Sequence, residues 1–238
     1  MIISTSEEIK NYSALLGDGS QLGINIEYAS QDKPEGIAQA FVIAEDFIAN
    51  DNVALILGDN IFYGSIFDNI ISRVQDYKKG ALLFAYKVPD PERYGVIEIK
   101  DNKIISLEEK PKNPKSPFVV TGLYFYDSKV VNIAKSLKLS KRKEYEITDV
   151  NHYYFQNNDV DYIILDRGTL WLDAGTTSSL LKASQFVETV QQRQNIQIGC
   201  PEEIVWRNNW ISDINLKDLA NKYSNSPYGS YLSSLLEK

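Results

Sequence analysis

Two aspartates stand where carboxylates often do chemistry in α/β proteins. Asp59 follows the apolar run Val53–Leu57 and the bend at Gly58, with Asn60 beside it. A carboxylate just past the C-terminal end of a buried parallel strand lies on the face where open α/β sheets bind ligands. Its hard oxygens suit Mg²⁺ carrying phosphates. The same residue would also serve as a cap on the next helix or turn. Asp173 lies in Trp171-Leu172-Asp173-Ala174-Gly175-Thr176, ahead of a long helical pattern. It stands between a similar pair of readings: a metal ligand shared with Asp59, or a cap and partner for the dipole of that helix.

Other segments carry groups that could meet an anion or a base. In Glu108-Glu109-Lys110-Pro111, strand alternation sends one of Glu109 and Lys110 toward a cleft and the other into its wall. Lysine is a compact point charge for a phosphate, although the end of a solvated strand would carry the same residues. Gln31 to Gly36 is a loop entering a helix, whose N-terminal N–H groups can receive an anion or a base edge. The Gln31 amide can both donate and accept; a plain connection is the competing reading. Neither a Walker A pattern nor GxGxxG occurs. Tyr94 could stack on or hydrogen-bond to a ligand, and Gly95 would let backbone approach it. In a chain with 15 tyrosines, Tyr94 could equally be packing. Lys141-Arg142-Lys143 is a short basic cluster, either a solvated loop or a phosphate contact. His152 sits among tyrosines and reads as structural. Cys200 has no basic neighbour to lower its pKa and reads the same way.

Composition narrows the classes. The chain has 238 residues and a formal net charge of −7, which argues against a nonspecific nucleic-acid binder. One cysteine and one histidine exclude an intramolecular disulfide, a cysteine zinc site and a multi-histidine metal site. No stretch approaches the roughly 18 apolar residues of a membrane span, so a soluble, cytoplasmic protein is expected.

The elements that must position these residues are short apolar runs alternating with helical patterns, an α/β arrangement. Strands are expected at Met1–Ser4, Ile24–Ala29, Val53–Leu57, Gly80–Tyr86, Gly95–Ile99, Ile104–Glu108, Val119–Tyr126 and Val160–Asp166. Met1–Ser4 reads as buried, and Val53–Leu57 as a central parallel strand covered on both faces. Helices are expected over Gly36–Asn50, Ile66–Tyr77, Lys129–Ser136, Ile147–Phe155 and Ser178–Gln192, and again beyond Asn195. The simplest division is an α/β domain over 1–194 with a helical appendage over 195–238.

Eight strings in order resemble the sugar-nucleotidyltransferases, most closely their glucose-1-phosphate thymidylyltransferase branch. They are Lys33-Pro34-Glu35-Gly36-Ile37-Ala38-Gln39-Ala40, Leu57-Gly58-Asp59-Asn60-Ile61-Phe62-Tyr63-Gly64, Asp90-Pro91-Glu92-Arg93-Tyr94-Gly95-Val96, Ser106-Leu107-Glu108-Glu109-Lys110-Pro111, Val120-Thr121-Gly122-Leu123-Tyr124-Phe125-Tyr126, Glu146-Ile147-Thr148-Asp149, Trp171-Leu172-Asp173-Ala174-Gly175-Thr176 and Cys200-Pro201-Glu202-Glu203-Ile204. The resemblance implies a Rossmann-like mixed sheet with helices on both faces. It implies attack of the glucose-1-phosphate oxygen on the α-phosphorus of dTTP, yielding dTDP-glucose and pyrophosphate. By the same resemblance Asp59 and Asp173 hold Mg²⁺, and Gln31 and Gly36 read the thymine. Tyr94, Gly95, Glu109 and Val120 hold the glucose, and Lys110 and Arg142 neutralise its phosphate. Tyr63, Gly64, Cys200, Glu203 and Ile204 fall in segments of a second, regulatory nucleotide site. A homotetramer without nucleic-acid or membrane partners is implied.

The family also opens with a strand and a Gly-Gly-x-Gly-Thr-Arg-Leu loop around the triphosphate, neither of which is in this sequence; Met1–Thr5 matches the family's second strand. About fifty residues, roughly one strand–helix unit and its exit, separate the two starting points. On that comparison the sheet lacks its first strand and dTTP binds weakly. A non-catalytic remnant or split-protein subunit, another NDP-sugar pyrophosphorylase, and a start set too late remain the alternatives.

Overall fold

The computed structural model describes residues 1–64, 70, 74, 77 and 79–237. Contacts divide it into two compact units, residues 33–179 and residues 1–32 together with 180–238. The division therefore falls at residue 180 and joins the N-terminal residues to the C-terminal helices, instead of leaving 1–194 together.

The central unit is built on β3 (Val53–Ile56), β4 (Asn60–Tyr63), β5 (Ala81–Lys87), β6 (Gly95–Lys100), β7 (Lys103–Glu109), β8 (Phe118–Tyr126), β9 (Val160–Ile164) and β10 (Leu170–Asp173). Aromatic and β-branched residues make up most of β8 (FVVTGLYFY), which suits a pleated strand in a sheet interior. The strand order is β7-β6-β8-β5-β9, with β3 also paired to β8. Among the described residues only β5 and β9 run parallel in this sheet; the other pairs are antiparallel. One edge of β8 carries β5 along its length, and the other carries β6 near Val119 and β3 over Leu123–Tyr126. Asp101 and Asn102, both at positive φ, close the β6–β7 hairpin where a two-residue turn was expected.

Helices α2 (Gln39–Ile43), α3 (Glu45–Ile48), α4 (Val130–Ser136) and α5 (Ile147–Gln156) complete this unit ahead of α6 (Thr177–Gln194). Phe41 meets Tyr126 edge-on at 5.3 Å, and Tyr154 stacks on Tyr126 at 5.6 Å. Buried polar bonds pin α5 against β8: Tyr126 Oη donates to Asn151 Oδ1 at 2.5 Å, and Tyr154 Oη to Asp127 Oδ1 at 2.7 Å. The opposite face of the sheet buries Leu82, Phe84, Leu123, Ile163 and Leu165 with Ile70.

The second unit holds β1 (Ile2–Ser4) and β2 (Tyr28–Ser30), paired in parallel, with α1 (Ser6–Leu16), α7 (Pro201–Arg207), α8 (Asp213–Lys222) and α9 (Pro227–Leu235). Its core gathers Cys200, Leu216, Leu219, Leu232 and Leu235. Gly23, at φ +70°, brings its backbone close to Trp210, where a Cβ would stand 2.8 Å from the Trp210 carbonyl oxygen. No helix among the described residues is long and apolar enough to cross a membrane.

Several expected elements differ in ways that matter for the site. β3 is antiparallel to β8, and its residues alternate between half-buried and exposed, with Ile56 55% exposed. An apolar run alone does not distinguish a strand covered on both faces from one covered on a single face. β1 is only half-buried, and β2 keeps only Tyr28 and Ala29 of the expected Ile24–Ala29 strand and adds Ser30. The helix expected over 36–50 starts only at Gln39, because Gly36 and Ala38 are committed to the backbone of Tyr145, and it is divided into α2 and α3 at Ala44. Gly36 has φ +104°, and Ala38 N–H donates to the Tyr145 carbonyl at 3.2 Å. Phe47, which continues the three-or-four spacing of Ile37, Ala40, Phe41 and Ala44 along that expected helix, is exposed. The helix expected over 66–77 lies outside the described residues except for Ile70, Val74 and Tyr77.

Thr121 on β8 is fully buried, and its hydroxyl finds no hydrogen-bond partner among the described residues. A buried hydroxyl without a partner is destabilising. Thr121→Val is therefore expected to raise unfolding stability by about 1 kcal/mol in urea titrations, where most core substitutions lower it.

Candidate functional site

The site is organised by an antiparallel ribbon that the sequence reading did not anticipate. β4 and β10 pair with Asn60 opposite Asp173 and Phe62 opposite Trp171. The Asp59 carbonyl accepts from Ala174 N–H at 2.8 Å and extends the pairing by one step. Asp59 and Asp173 thus belong to adjacent backbones at one end of a ribbon, not to the separate helix caps that were the alternative. Gly175 lies between their side chains: a Cβ there would stand 2.9 Å from Asp173 Oδ1 and 3.4 Å from Asp59 Oδ2.

Asn60 fixes this arrangement. Its Oδ1 accepts from Trp171 Nε1 at 2.6 Å and from Gly122 N–H at 3.0 Å, while its Nδ2 donates to Asp59 Oδ1 at 2.6 Å. Gly122 must be glycine for this contact, since a Cβ would fall 2.5 Å from Asn60 Oδ1. Asp173 is held from both sides. Its Oδ1 accepts from Gly175 N–H at 2.9 Å, and its Oδ2 accepts from Tyr94 Oη and from Arg93, both at 3.2 Å. Burial, followed by the Asp173 charge, pushes the Tyr94 phenol up to about 12. Tyr94 therefore remains a donor to Asp173 through the physiological range. The hydrogen bond to Asp90 raises the Arg93 pKa further above its already high ordinary value.

These groups line a cavity of about 320 Å³ whose lining includes Asp59, Asn60, Tyr94, Gly95, Glu109, Lys110, Val120, Gly122, Thr148 and Asp173. Glu109 and Lys110 both face it, contrary to the expected alternation. Lys110 has φ +42°, which breaks the strand geometry directly after Glu109 and turns the next side chain to the same side. Glu109 is bracketed by donors. Thr148 Oγ1 donates to its Oε2 at 2.5 Å, and its Oε1 faces Arg142 at 3.6 Å and Lys110 Nζ at 3.8 Å. Gly95, paired with Glu109 across the β6–β7 hairpin, leaves room for this cluster: a Cβ would meet Thr148 Oγ1 at 3.3 Å and Glu109 Oε2 at 3.4 Å.

The remaining expected residues lie apart from the cavity lining. Arg142 reaches Glu109 from outside, shared with Glu144 and Glu146. Gly36 packs on the Tyr145 backbone, while its neighbour Ile37 lines the cavity. Gln31 belongs to the other unit, where its N–H donates to the Ser4 carbonyl. Tyr63 pairs with Leu170 at the far end of the ribbon, and Gly64 at φ +125° lets the chain pass the Gly168 carbonyl. Cys200, Glu203 and Ile204 are on or next to α7 in the second unit. Cys200 is buried, its thiol pushed up by that burial and 3.1 Å from Tyr228 Oη. Glu203 takes Arg207 and Tyr231, and Ile204 is exposed. Arg93 and Thr148 are site residues that were not singled out, and Asn60 was noted only as a polar neighbour of Asp59. Each lies inside a string that carries the resemblance, but only the folded geometry aims it at a carboxylate.

The donor set fits a hard divalent cation. Two carboxylates converge, and no cluster of three or more histidine, cysteine or acidic ligands occurs among the described residues. Magnesium characteristically takes one or two carboxylates and completes its shell with water and substrate phosphates.

Comparison with known proteins gives the family. The nucleotidyl transferase family model matches residues 1–190. The chain belongs to the nucleotidyl transferase family. This nucleotidyltransferase is 50% identical to the glucose-1-phosphate thymidylyltransferase of Neisseria meningitidis serogroup A, covering 100% of the chain and 83% of the relative. It is equally identical, with the same coverage, to the enzyme of that name from Mycolicibacterium smegmatis. A solved Bacillus anthracis structure, provisionally assigned the same activity and in complex with a sucrose, superposes with TM-score 0.74 at 41% identity, covering 84% of this chain and 78% of that one. A UDP-glucose pyrophosphorylase with bound UDP-glucose shares the fold at TM-score 0.62 and 21% identity, covering 78% of this chain and 74% of that one.

Two measurements test the geometry. Asn60→Ala leaves Gly122 N–H and Trp171 Nε1 unpaired, and is expected to cost about 2 kcal/mol of stability in denaturant titration. Tyr94→Phe should remove a phenol whose ultraviolet titration centres near pH 12. Because the folded value lies above the unfolded 10.0, the stability it contributes is complete below pH 10 and lost as pH rises toward 12. The difference between wild type and Tyr94→Phe should follow that course.

Proposed function

We propose that the chain condenses dTTP with glucose-1-phosphate, releasing pyrophosphate and forming dTDP-glucose. The observation that carries this reading is the joining of two converging carboxylates to a sugar-sized cavity that ends in a lysine. The names of the similar proteins supply the substrates. In the reaction a phosphate oxygen of the sugar-1-phosphate bonds to the α-phosphorus of the nucleotide as the bond to the pyrophosphate oxygen breaks. Such a displacement needs positioning and charge neutralisation more than a protein nucleophile.

Each residue then has a task. Glu109, held by Thr148, accepts from sugar hydroxyls, while Gly95, Val120 and Tyr94 form the walls around the ring. Lys110 meets the sugar phosphate, with Arg142 behind Glu109 adding positive charge. Gly36 is assigned to the thymine. Asp59 and Asp173 hold Mg²⁺, which when bound neutralises phosphate charge on the nucleotide. The reading extends to a cytoplasmic homotetramer.

The test is pyrophosphate release from dTTP, glucose-1-phosphate and Mg²⁺ by the purified chain. Asp59→Asn is expected to lower kcat/KM by about 10²-fold or more, the scale of losing a metal's charge stabilisation. Lys110→Gln should raise KM for glucose-1-phosphate and lower kcat/KM by about tenfold or more, as for a lost hydrogen bond to a charged group. Turnover indifferent to Asp59 would overturn the assignment of the carboxylates, and a folded chain without turnover would overturn the activity.

A further inference from the structure

Arg93 has no task in the reaction as described, yet it touches one of the two converging carboxylates. Its guanidinium bridges Asp90 Oδ2 at 2.9 Å and Asp173 Oδ2 at 3.2 Å, and lies 5.1 Å from the centre of the Tyr94 ring. The side chain stays 40% exposed at the cavity and is carried by the short 3-10 turn Pro91–Arg93. Asp59, by contrast, has no lysine or arginine within ion-pair distance among the described residues. The two carboxylates are thus unequal: Asp173 is paired with a cationic side chain, whereas Asp59, held by Asn60 Nδ2, has none among the described residues.

We propose that Arg93 is an exchangeable counterion for Asp173, pairing with its carboxylate in the cation-free protein and releasing it when a divalent cation binds between Asp59 and Asp173. This rests on the reading of those two residues as metal ligands. Three features make the exchange inexpensive. The arginine of this ion pair is 40% exposed, so solvent weakens the pair and the divalent ion has little to displace. Asp173 stays oriented without Arg93, because Gly175 N–H and Tyr94 Oη hold it independently. Arg93 keeps a place after release, since Asp90 and the Tyr94 ring still bind it. The pairing also keeps two neighbouring carboxylates from repelling each other before the cation arrives, at the expense of cation affinity.

The experiment is Mn²⁺ binding to the full chain without substrates, followed by electron paramagnetic resonance of the free ion. Wild type, Asp59→Asn, Arg93→Gln and Arg93→Lys are compared, each checked for folding by circular dichroism. Arg93→Gln removes the competitor and is expected to bind Mn²⁺ about two- to fivefold more tightly than wild type, the scale of an exposed ion pair. Arg93→Lys keeps the charge but loses the forked geometry, and should fall between the two. If Asp59→Asn weakens Mn²⁺ binding and Arg93→Gln leaves it unchanged or weaker, the counterion role is overturned while the metal reading stands. If wild-type binding does not respond to Asp59→Asn, the metal reading falls and the counterion role with it.

Discussion

The site depends on one carboxamide. Asn60 accepts from the backbone of β8 and from the Trp171 indole on β10, and donates to the carboxylate of its own neighbour Asp59. Three backbones are thereby tied at a single point, and the distances leave no slack. Gly122 lacks a side chain so that Asn60 can approach, and Gly175 lacks one so that the two carboxylates can converge. A partly buried amide with both ends satisfied specifies geometry more sharply than apolar packing does, because each unpaired group would carry a desolvation cost. The apolar cluster of Val96, Val119 and Trp171, with Phe62 and Tyr94 against it, then backs the same point from behind.

The charge balance of the cavity explains how an acidic chain can be suited to anionic substrates. The formal net charge is −7, but around the cavity Asp173 is met by Arg93, and Glu109 by Lys110 and Arg142. Each cation is paired with a carboxylate that also has a neutral partner. Thr148 steadies Glu109 and Tyr94 steadies Asp173. The positive side chains are therefore not required to hold their carboxylates in place, and a phosphate can compete for them. Local arrangement, not overall charge, decides which ions such a surface accepts.

Much of the architecture was legible in the pattern of residues. The β6–β7 hairpin, the long strand at 118–126, the helices at 130–136 and 147–156 and the helix from 177 all lie where periodicity and turn residues put them. The weaker expectations concerned what each element packs against. Val53–Leu57 reads as a strand but not as an antiparallel one with an exposed face, and Gly36–Asn50 reads as one helix until Tyr145 claims its start. Periodicity records which residues face a core; it does not record which backbone supplies that core.

The sequence by itself determined the residue types on which the chemistry rests. Two aspartates, a Glu-Lys pair and a Tyr-Gly pair stand in strings whose order matches a family, and a single histidine and cysteine leave nucleophilic alternatives without support. The tertiary structure alone decided that Asp59 and Asp173 share one end of a ribbon, that Glu109 and Lys110 face the same way, and that Arg93 and Thr148 each meet a carboxylate. The reason is physical: residue identity and spacing set local conformation within a few positions, whereas a site made of side chains far apart in the chain exists only once strand register and backbone crossings bring them within hydrogen-bond distance.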